Sequence, residues 1–318
     1  MLDIKIKSIF NRILNKNNRN QDKNLLIGKF IRNRSTREVN KNAAIELEAL
    51  LLHTDCIAGL YYPTVDENQD YLVCDESPKG KLPVPPQKFW HWYGLNEESY
   101  LKGGKALAQI YRESAKKHGI SFQHGQKMLD FGCSGGRVLR WFEEEASKGV
   151  ECWGCDIDAA AIDWTQKNLM PPFKFFVNST APHLPFRDDY FDFIYAGSFF
   201  THIKDMATMW LLELARCINK DGVGIITIVD EGSLEKLRNL SKKQGDNAPR
   251  GAQFIAENNI TRETLQNQGF ITRDSSPWWL GTLYSRDFFI RRASVAFDVL
   301  EVRDNMNVYQ SGYVLRPK

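Results

Sequence analysis

Three things are scarce in this chain of 318 residues. No apolar run approaches the roughly 20 residues that a membrane-spanning helix requires. Lys5 and Lys7 interrupt the first apolar stretch, so it does not form a secretory h-region, and the chain is read as cytoplasmic. An excess of one charge is also missing. The 42 basic and 39 acidic residues leave a net +3, too little by itself to imply a nucleic-acid partner. Metal-ligand patterning is the third absence. The six cysteines (Cys56, Cys74, Cys133, Cys152, Cys155 and Cys217) are dispersed. Cys152-x-x-Cys155 has neither a second Cys pair nor a close His pair to complete a zinc site. It falls in a predicted strand, where reduced, buried thiols are the expectation.

What charge asymmetry exists sits at the start. Residues 1–41 hold eleven Lys and Arg against three Asp and Glu. Leu2, Ile6, Ile9, Phe10, Ile13 and Leu14 share one helical face over residues 2–16. A basic amphipathic helix of this kind suits an anionic membrane surface, and packing on its own domain is the alternative. Residues 17–41 read as a linker, and 43–52 as a short helix. Residues 60–96 are irregular, with five prolines and an aromatic cluster of Phe89, Trp90, Trp92 and Tyr93. The cluster is either a loop packed on the core or a pocket wall. A second helix over 98–118 is expected to weaken or break near Gly103-Gly104.

The chain is organised around Met128–Phe142, MLDFGCSGGRVLRWF. An apolar strand end, an Asp, a small-residue turn and then the apolar spacing of a helix make up the opening unit of a nucleotide-binding α/β fold. The glycines allow a sharp turn and close approach of a ligand, and the helix N-terminus offers unpaired N–H groups. Asp130 lies two residues before the first glycine. That acid would repel a pyrophosphate and attract an ammonium group. The spacing G-x-x-G-G also departs from the dinucleotide pattern.

DFGCSGG resembles the first motif, [D/E]-x-G-x-G-x-G, of the class I S-adenosylmethionine-dependent methyltransferases, with Ser134 in place of the middle glycine. Gly154-Cys155-Asp156, at the end of a second strand over 151–155, resembles the second motif. Leu184-Pro185-Phe186 with Phe191–Tyr195 resembles the family's fourth-strand signature. LARCINKDGVGIITI resembles the segment leading into strand five, with Asp221 and Val223 replacing Pro and Gly. The resemblance implies a Rossmann-like, seven-stranded sheet, mostly parallel with its last strand antiparallel, flanked by helices and preceded by an N-terminal extension. It implies S-adenosyl-L-methionine as cofactor, contacted by Asp130, Gly132, Ser134, Gly135, Asp156, Ile157, Ser179, Thr180 and Ser198. Asp156 is placed to take the ribose hydroxyls, while Asp158 or Asp156 itself can cap the helix over 159–168.

The end of the fourth strand, Gly197–His202, lies where ligands of open α/β sheets bind. His202 is the candidate general base, with an unperturbed pKa near neutrality; His91 and His183 are weaker alternatives. Phe200, Trp278 and Trp279 are candidate walls of the acceptor pocket. The motif AGSFFTH is not the [N/D]-P-P-[Y/F] of amino-methylating nucleic-acid enzymes, and no Pro-Cys dipeptide offers a carbon-methylating nucleophile. The expected acceptor is therefore a small molecule or glycan, methylated at oxygen; a looser resemblance to bacterial carbohydrate and secondary-metabolite enzymes points the same way. A nicotinamide-dependent oxidoreductase and a non-catalytic protein on a methyltransferase fold are the alternatives. The expected organisation is a basic helix and linker over 1–41, a helical and irregular pocket lid over 42–118, a cofactor-binding core over 119–232, and a C-terminal elaboration carrying the last strands over 233–318.

Overall fold

The computed structural model describes residues 81–318, except for 92, 204–205, 246–247 and 275–279. The expected helix over 2–16, the linker, the helix over 43–52 and the Trp278–Trp279 pair lie outside the described residues.

Short apolar runs become the central strands. These are β1 (Lys127–Phe131), β2 (Glu151–Asp156), β3 (Lys174–Val177), β4 (Phe191–Ala196) and β5 (Ile218–Ile228). β6 (Phe270–Asp274) and β7 (Leu280–Tyr284) form a separate antiparallel pair. β8 (Phe297–Asn307) and β9 (Gln310–Pro317) complete the main sheet, whose order is β3-β2-β1-β4-β5-β9-β8. β1 to β5 pair in parallel, and β9 runs antiparallel to both its neighbours. The expected seven-stranded sheet is therefore present, with its final strand reversed.

Both faces of the sheet's centre are buried, which is why β1, β2, β4 and the second half of β5 are largely apolar. Leu129, Phe131, Trp153 and Cys155 enter one core with Trp210, Leu211 and Leu214. Met128, Cys152, Phe193 and Tyr195 enter the other with Leu107, Ala108 and Tyr111. Cys152 and Cys155 thus lie on opposite faces of β2. Both are free and buried, and among the described residues no cluster of His, Cys, Asp or Glu is placed to hold a metal.

The helices follow their caps. α1 (Glu97–Lys117) starts at Asn96, whose side chain accepts from Ser99 N at 2.9 Å while Ser99 Oγ accepts from Asn96 N at 3.1 Å. The expected break at Gly103-Gly104 does not occur. A β-carbon on Gly104 would stand 2.3 Å from Arg137 O, so this glycine lets α1 pack closely on the chain beyond the glycine turn. Beyond that turn the expected helix is short: a 3-10 turn over Leu139–Phe142 and then α2 (Glu143–Ser147). Asp158 caps α3 (Ala159–Leu169), accepting from Ala160 N and Ala161 N. α4 (Ala207–Cys217) runs straight into β5. Residues 219–222, Asn-Lys-Asp-Gly, lie within β5 although such a run reads as a turn, and Gly222 leaves room for Asp192 O.

After β5 come α5 (Glu231–Gln244), α6 (Arg250–Glu257) and α7 (Arg262–Gln268). They share a smaller core, including Leu234, Leu237, Ile255, Leu265 and Leu283, with the β6–β7 pair. α8 (Arg286–Ala293) leads into β8.

One buried acid ties this C-terminal part to the sheet. Asp230 follows β5, caps α5, and accepts from Ser311 Oγ and Tyr313 Oη at 2.6 Å each and from Arg286 Nη2 at 3.1 Å. Three later elements therefore converge on one carboxylate with no exposed surface. Asp230→Ala leaves these donors without their acceptor and is expected to cost about 3–5 kcal/mol, the scale of a broken buried pair. Urea denaturation of the variant measures it.

Candidate active site

The site grows from the C-terminal ends of β1, β2 and β4. Gly132 N and Cys133 N both donate to Cys155 O at 2.9 Å, folding the chain back over β2 as it leaves β1. Gly132, Ser134 and Gly136 have φ of 87°, 45° and 72°. Left-handed backbone is natural for glycine and strained for serine. Ser134 is held there from two sides: its N–H donates to Asp156 Oδ2 at 2.8 Å, and its hydroxyl donates to Phe89 O at 3.0 Å while meeting His91 Nε2 at 2.9 Å. The departure from the glycine pattern therefore has a local use. The serine joins the turn both to β2 and to the chain that precedes α1.

That preceding chain crosses the turn as a strap. Pro85 packs on Gly135, where a β-carbon would come within 2.8 Å of the ring. Trp90 Nε1 donates to Pro85 O at 2.8 Å, and its indole stacks on Tyr100 at 4.8 Å. Arg140 donates to Leu82 O, and the Arg137 guanidinium lies 4.1 Å from the Tyr93 ring centre. Of the aromatic cluster, Phe89 and Trp90 are buried in packing. His91, at φ 48°, and Tyr93 stand against the turn and Arg137.

Asp130 and Asp156 come together here. Asp130 is only 4% exposed and lies in register between Gly154 of β2 and Tyr195 of β4. Burial pushes its carboxyl up to about 7. Asp156 adds to this shift, while the Tyr195 hydroxyl and Arg137 oppose it. Burial likewise raises Asp156, against the hydrogen bonds it accepts from the Asp158 and Ser134 N–H groups. Each Asp156 oxygen accepts one backbone bond and keeps capacity for another. The roles left open between the two acids of this strand end therefore divide: Asp158 caps α3, and Asp156 faces the turn.

Ile157 is 58% exposed, and Val177, paired with Asp156 across β2 and β3, is 46% exposed. They form an apolar ledge beside the carboxylate. Next to it, Asn178 N donates to Asp156 O at 3.1 Å, while its buried Oδ1 has no hydrogen-bond partner among the described residues. Ser179 closes a local turn on Ala181, and Thr180 is exposed.

At the end of β4, Ser198 has φ 65°. Its N–H donates to Thr227 Oγ1 at 2.8 Å, and its hydroxyl accepts from Gln310 Nε2 at 2.8 Å and meets Thr201 Oγ1 at 3.1 Å. Thr227 in turn donates to Gln310 Oε1 at 2.6 Å. This uncharged network joins β4, β5 and β9. His202 ends the 3-10 turn Phe200–His202 and is exposed. Phe200 corrects an expectation: it is fully buried, edge-on to Phe289 at 6.0 Å, and belongs to the core rather than to a pocket wall. Its neighbour Phe199 is the one that reaches the turn, with Cβ 3.9 Å from where a side chain on Gly132 would begin. His183 lies apart from the turn, 3.7 Å from the Glu213 carboxylate.

Sequence reasoning missed Tyr111 and Tyr195, both buried beside Asp130. Strand alternation placed Tyr195 on one face or the other, but only the register with β1 shows which residue it adjoins.

Residues 129–226, a little under a third of the chain, match the family model described as a methyltransferase domain. S-adenosylmethionine is the cofactor this match indicates. No curated protein matches the chain. Among solved structures, the PH0226 protein of Pyrococcus horikoshii OT3 is similar at 18% identity with a TM-score of 0.51, covering 74% of this chain and 100% of that one. An S-adenosylmethionine-dependent methyltransferase of Clostridium acetobutylicum ATCC 824 is similar at 11% identity with a TM-score of 0.46, covering 67% and 91%. These likenesses concern the fold. Among the described residues no helix is long and apolar enough to cross a membrane.

The Asp130 shift makes a stability prediction. With its pKa raised from 3.8 to about 7, the folded protein retains a proton between those values that the unfolded chain has released. Its ionisation therefore weakens the fold as pH rises through that window, and the full penalty applies above pH 7. Asp130→Asn is expected to melt higher than wild type at pH 8, with the gap closing toward pH 4; thermal scans across pH read it.

Proposed function

We propose that this protein transfers a methyl group from S-adenosylmethionine to an oxygen of a small-molecule or glycan acceptor. The observation that carries the reading is the placement of two buried carboxylates, Asp130 and Asp156, on adjacent strand ends around a left-handed small-residue turn. Asp130 supplies the counter-charge for an ammonium group. Asp156 offers its remaining acceptor positions to a ribose diol. Gly132, Ser134 and Gly135 form the floor, and Ile157 with Val177 gives an adenine ring an apolar ledge. The unpartnered Oδ1 of Asn178 suits an exocyclic amine on that ring. Ser179 and Thr180 flank the same edge, and Ser198 closes it at β4. These groups fit the cofactor, which when bound supplies an electrophilic methyl on a sulfonium.

The chain's own work is to position the acceptor and take its proton. The network of Ser198, Thr227 and Gln310 is uncharged and rich in hydrogen-bonding groups, as a hydroxylated acceptor would need. His202, at the same end of the sheet, is the candidate base for the acceptor hydroxyl. The strap over residues 82–93 excludes water from the turn, and residues 119–232 are taken as the cofactor-binding core. A nicotinamide cofactor is disfavoured, because Asp130 beside the turn would meet its pyrophosphate.

Calorimetry with S-adenosylhomocysteine and with NAD tests this. Saturable binding of the former alone is expected. Asp156→Ala should weaken it about tenfold to a hundredfold, the scale of hydrogen bonds to a charged group. Preference for NAD, or unchanged affinity in Asp156→Ala, would contradict the assignment.

A further inference from the structure

The polar groups at the end of β4 form a network in which each hydroxyl and amide proton can be placed. Ser198 N–H donates to Thr227 Oγ1 at 2.8 Å, and Thr227 Oγ1 donates to Gln310 Oε1 at 2.6 Å. Gln310 Nε2 donates to Ser198 Oγ at 2.8 Å. The surroundings fix the orientation of this amide. Asn307 Nδ2 reaches the same Oε1 at 3.5 Å, and a flipped amide would set two amino groups face to face. On the other side, Thr201 Oγ1 donates to the Ser198 carbonyl at 2.6 Å, so its proton is committed. The 3.1 Å contact between the Ser198 and Thr201 hydroxyls therefore has Ser198 as the donor.

A hydroxyl has one proton and two lone pairs. Ser198 gives its proton to Thr201 and one lone pair to Gln310, and one lone pair remains. Thr201, Thr227, Asn307 and Gln310 are all buried, whereas Ser198 keeps accessible surface. Buried side chains from three other elements thus hold one hydroxyl so that it can accept a further hydrogen bond and cannot donate one. The backbone is strained to present it: Ser198 has φ 65°, a conformation that glycine adopts freely and serine does not. In the sheet, β1 separates β4 from β2. Ser198 therefore stands across the turn from Asp156 and its apolar ledge, at a strand end where ligands of open α/β sheets bind.

We infer that Ser198 accepts a hydrogen bond from a hydroxyl of the methyl acceptor, with Gln310 as its positioning residue. This rests on the methyltransferase reading above and narrows the acceptor to a molecule that brings a proton to this point, an alcohol or a phenol. A carboxylate oxygen brings only lone pairs and would be repelled by the lone pair it meets.

Turnover with S-adenosylmethionine tests this, followed by S-adenosylhomocysteine formation and product mass. Two probe panels are compared on the full chain: methyl glycosides with phenols, and carboxylates that carry no hydroxyl. Wild type should methylate members of the first panel and none of the second. Ser198→Gly suits the backbone at this position, and Gln310→Met keeps the length of the side chain without its donor. For the best hydroxylated probe, each should raise KM about threefold to tenfold, the scale of one neutral hydrogen bond, with kcat falling less. Because Gln310 acts through Ser198, the double variant should match Ser198→Gly alone instead of multiplying the two losses. Preference for carboxylates, no turnover of any hydroxylated probe, an unchanged KM in Ser198→Gly, or multiplied losses in the double variant overturns the inference. Should Gln310→Met fail to fold, panel selectivity and Ser198→Gly still decide it. Binding of S-adenosylhomocysteine by wild type, measured alongside, keeps the cofactor assignment standing in each of these cases. Its absence overturns the methyltransferase reading and this inference with it.

Discussion

A carboxylate buried at the end of a central strand is the constraint on which the site depends. Asp130 stands between strands on both sides and beneath α1, where water cannot reach it freely. Its charge is unfavourable there until a cation arrives. On the proposed reading, the ammonium of the ligand supplies that counter-charge. Gly154 on one flank has no side chain, Tyr195 on the other offers a hydroxyl, and Arg137 is turned onto the Tyr93 ring.

The turn beside it is fixed by hydrogen bonds that reach forward and backward along the chain. Asp156 holds Ser134 from the end of β2, and Phe89 with His91 holds the same residue from the strap. The strap, the turn and β2 thereby become one unit, although the strap and β2 stand more than fifty residues apart in the chain. At the other side of the sheet Asp230 performs a comparable service for β9, α5 and α8. The two acids differ in one respect. Asp230 is saturated by donors from its own chain, which marks it as structural. Asp130 is buried with its carboxyl pushed up by that burial, which is what the proposed receptor role draws on.

Much of this was legible in the sequence. The strand, small-residue turn and following helical pattern around Asp130 follow from local spacing, and the resemblance to family motifs pointed to the fourth strand near Phe191 and to Asp156; which of Asp156 and Asp158 caps α3 was left open until the structure showed it to be Asp158. What local pattern could not supply was the long-range partner of each residue. Gly104 reads as a helix breaker until Arg137 O is seen to occupy the space of its missing side chain. Asn219–Gly222 reads as a turn until β5 is seen to pair with β4 on both sides of it. Phe200 and Phe199 cannot be told apart in sequence, yet one is core and the other touches the turn. The small β6–β7 pair was missed because Leu280–Tyr284 is short and mixed, and only its partner makes it a strand.

The central claim is that Asp130 awaits a cationic ligand, and proton counting tests it most directly. Near pH 6.5 a carboxyl with a pKa of about 7 is largely protonated, and an ammonium placed beside it must drive that proton off. Titrating S-adenosylhomocysteine in two buffers of different ionisation enthalpy should therefore reveal release of most of one proton per site in wild type and none in Asp130→Asn, titrated at concentrations high enough to saturate its weaker site. Binding without proton release, or release that persists in Asp130→Asn, would contradict the account.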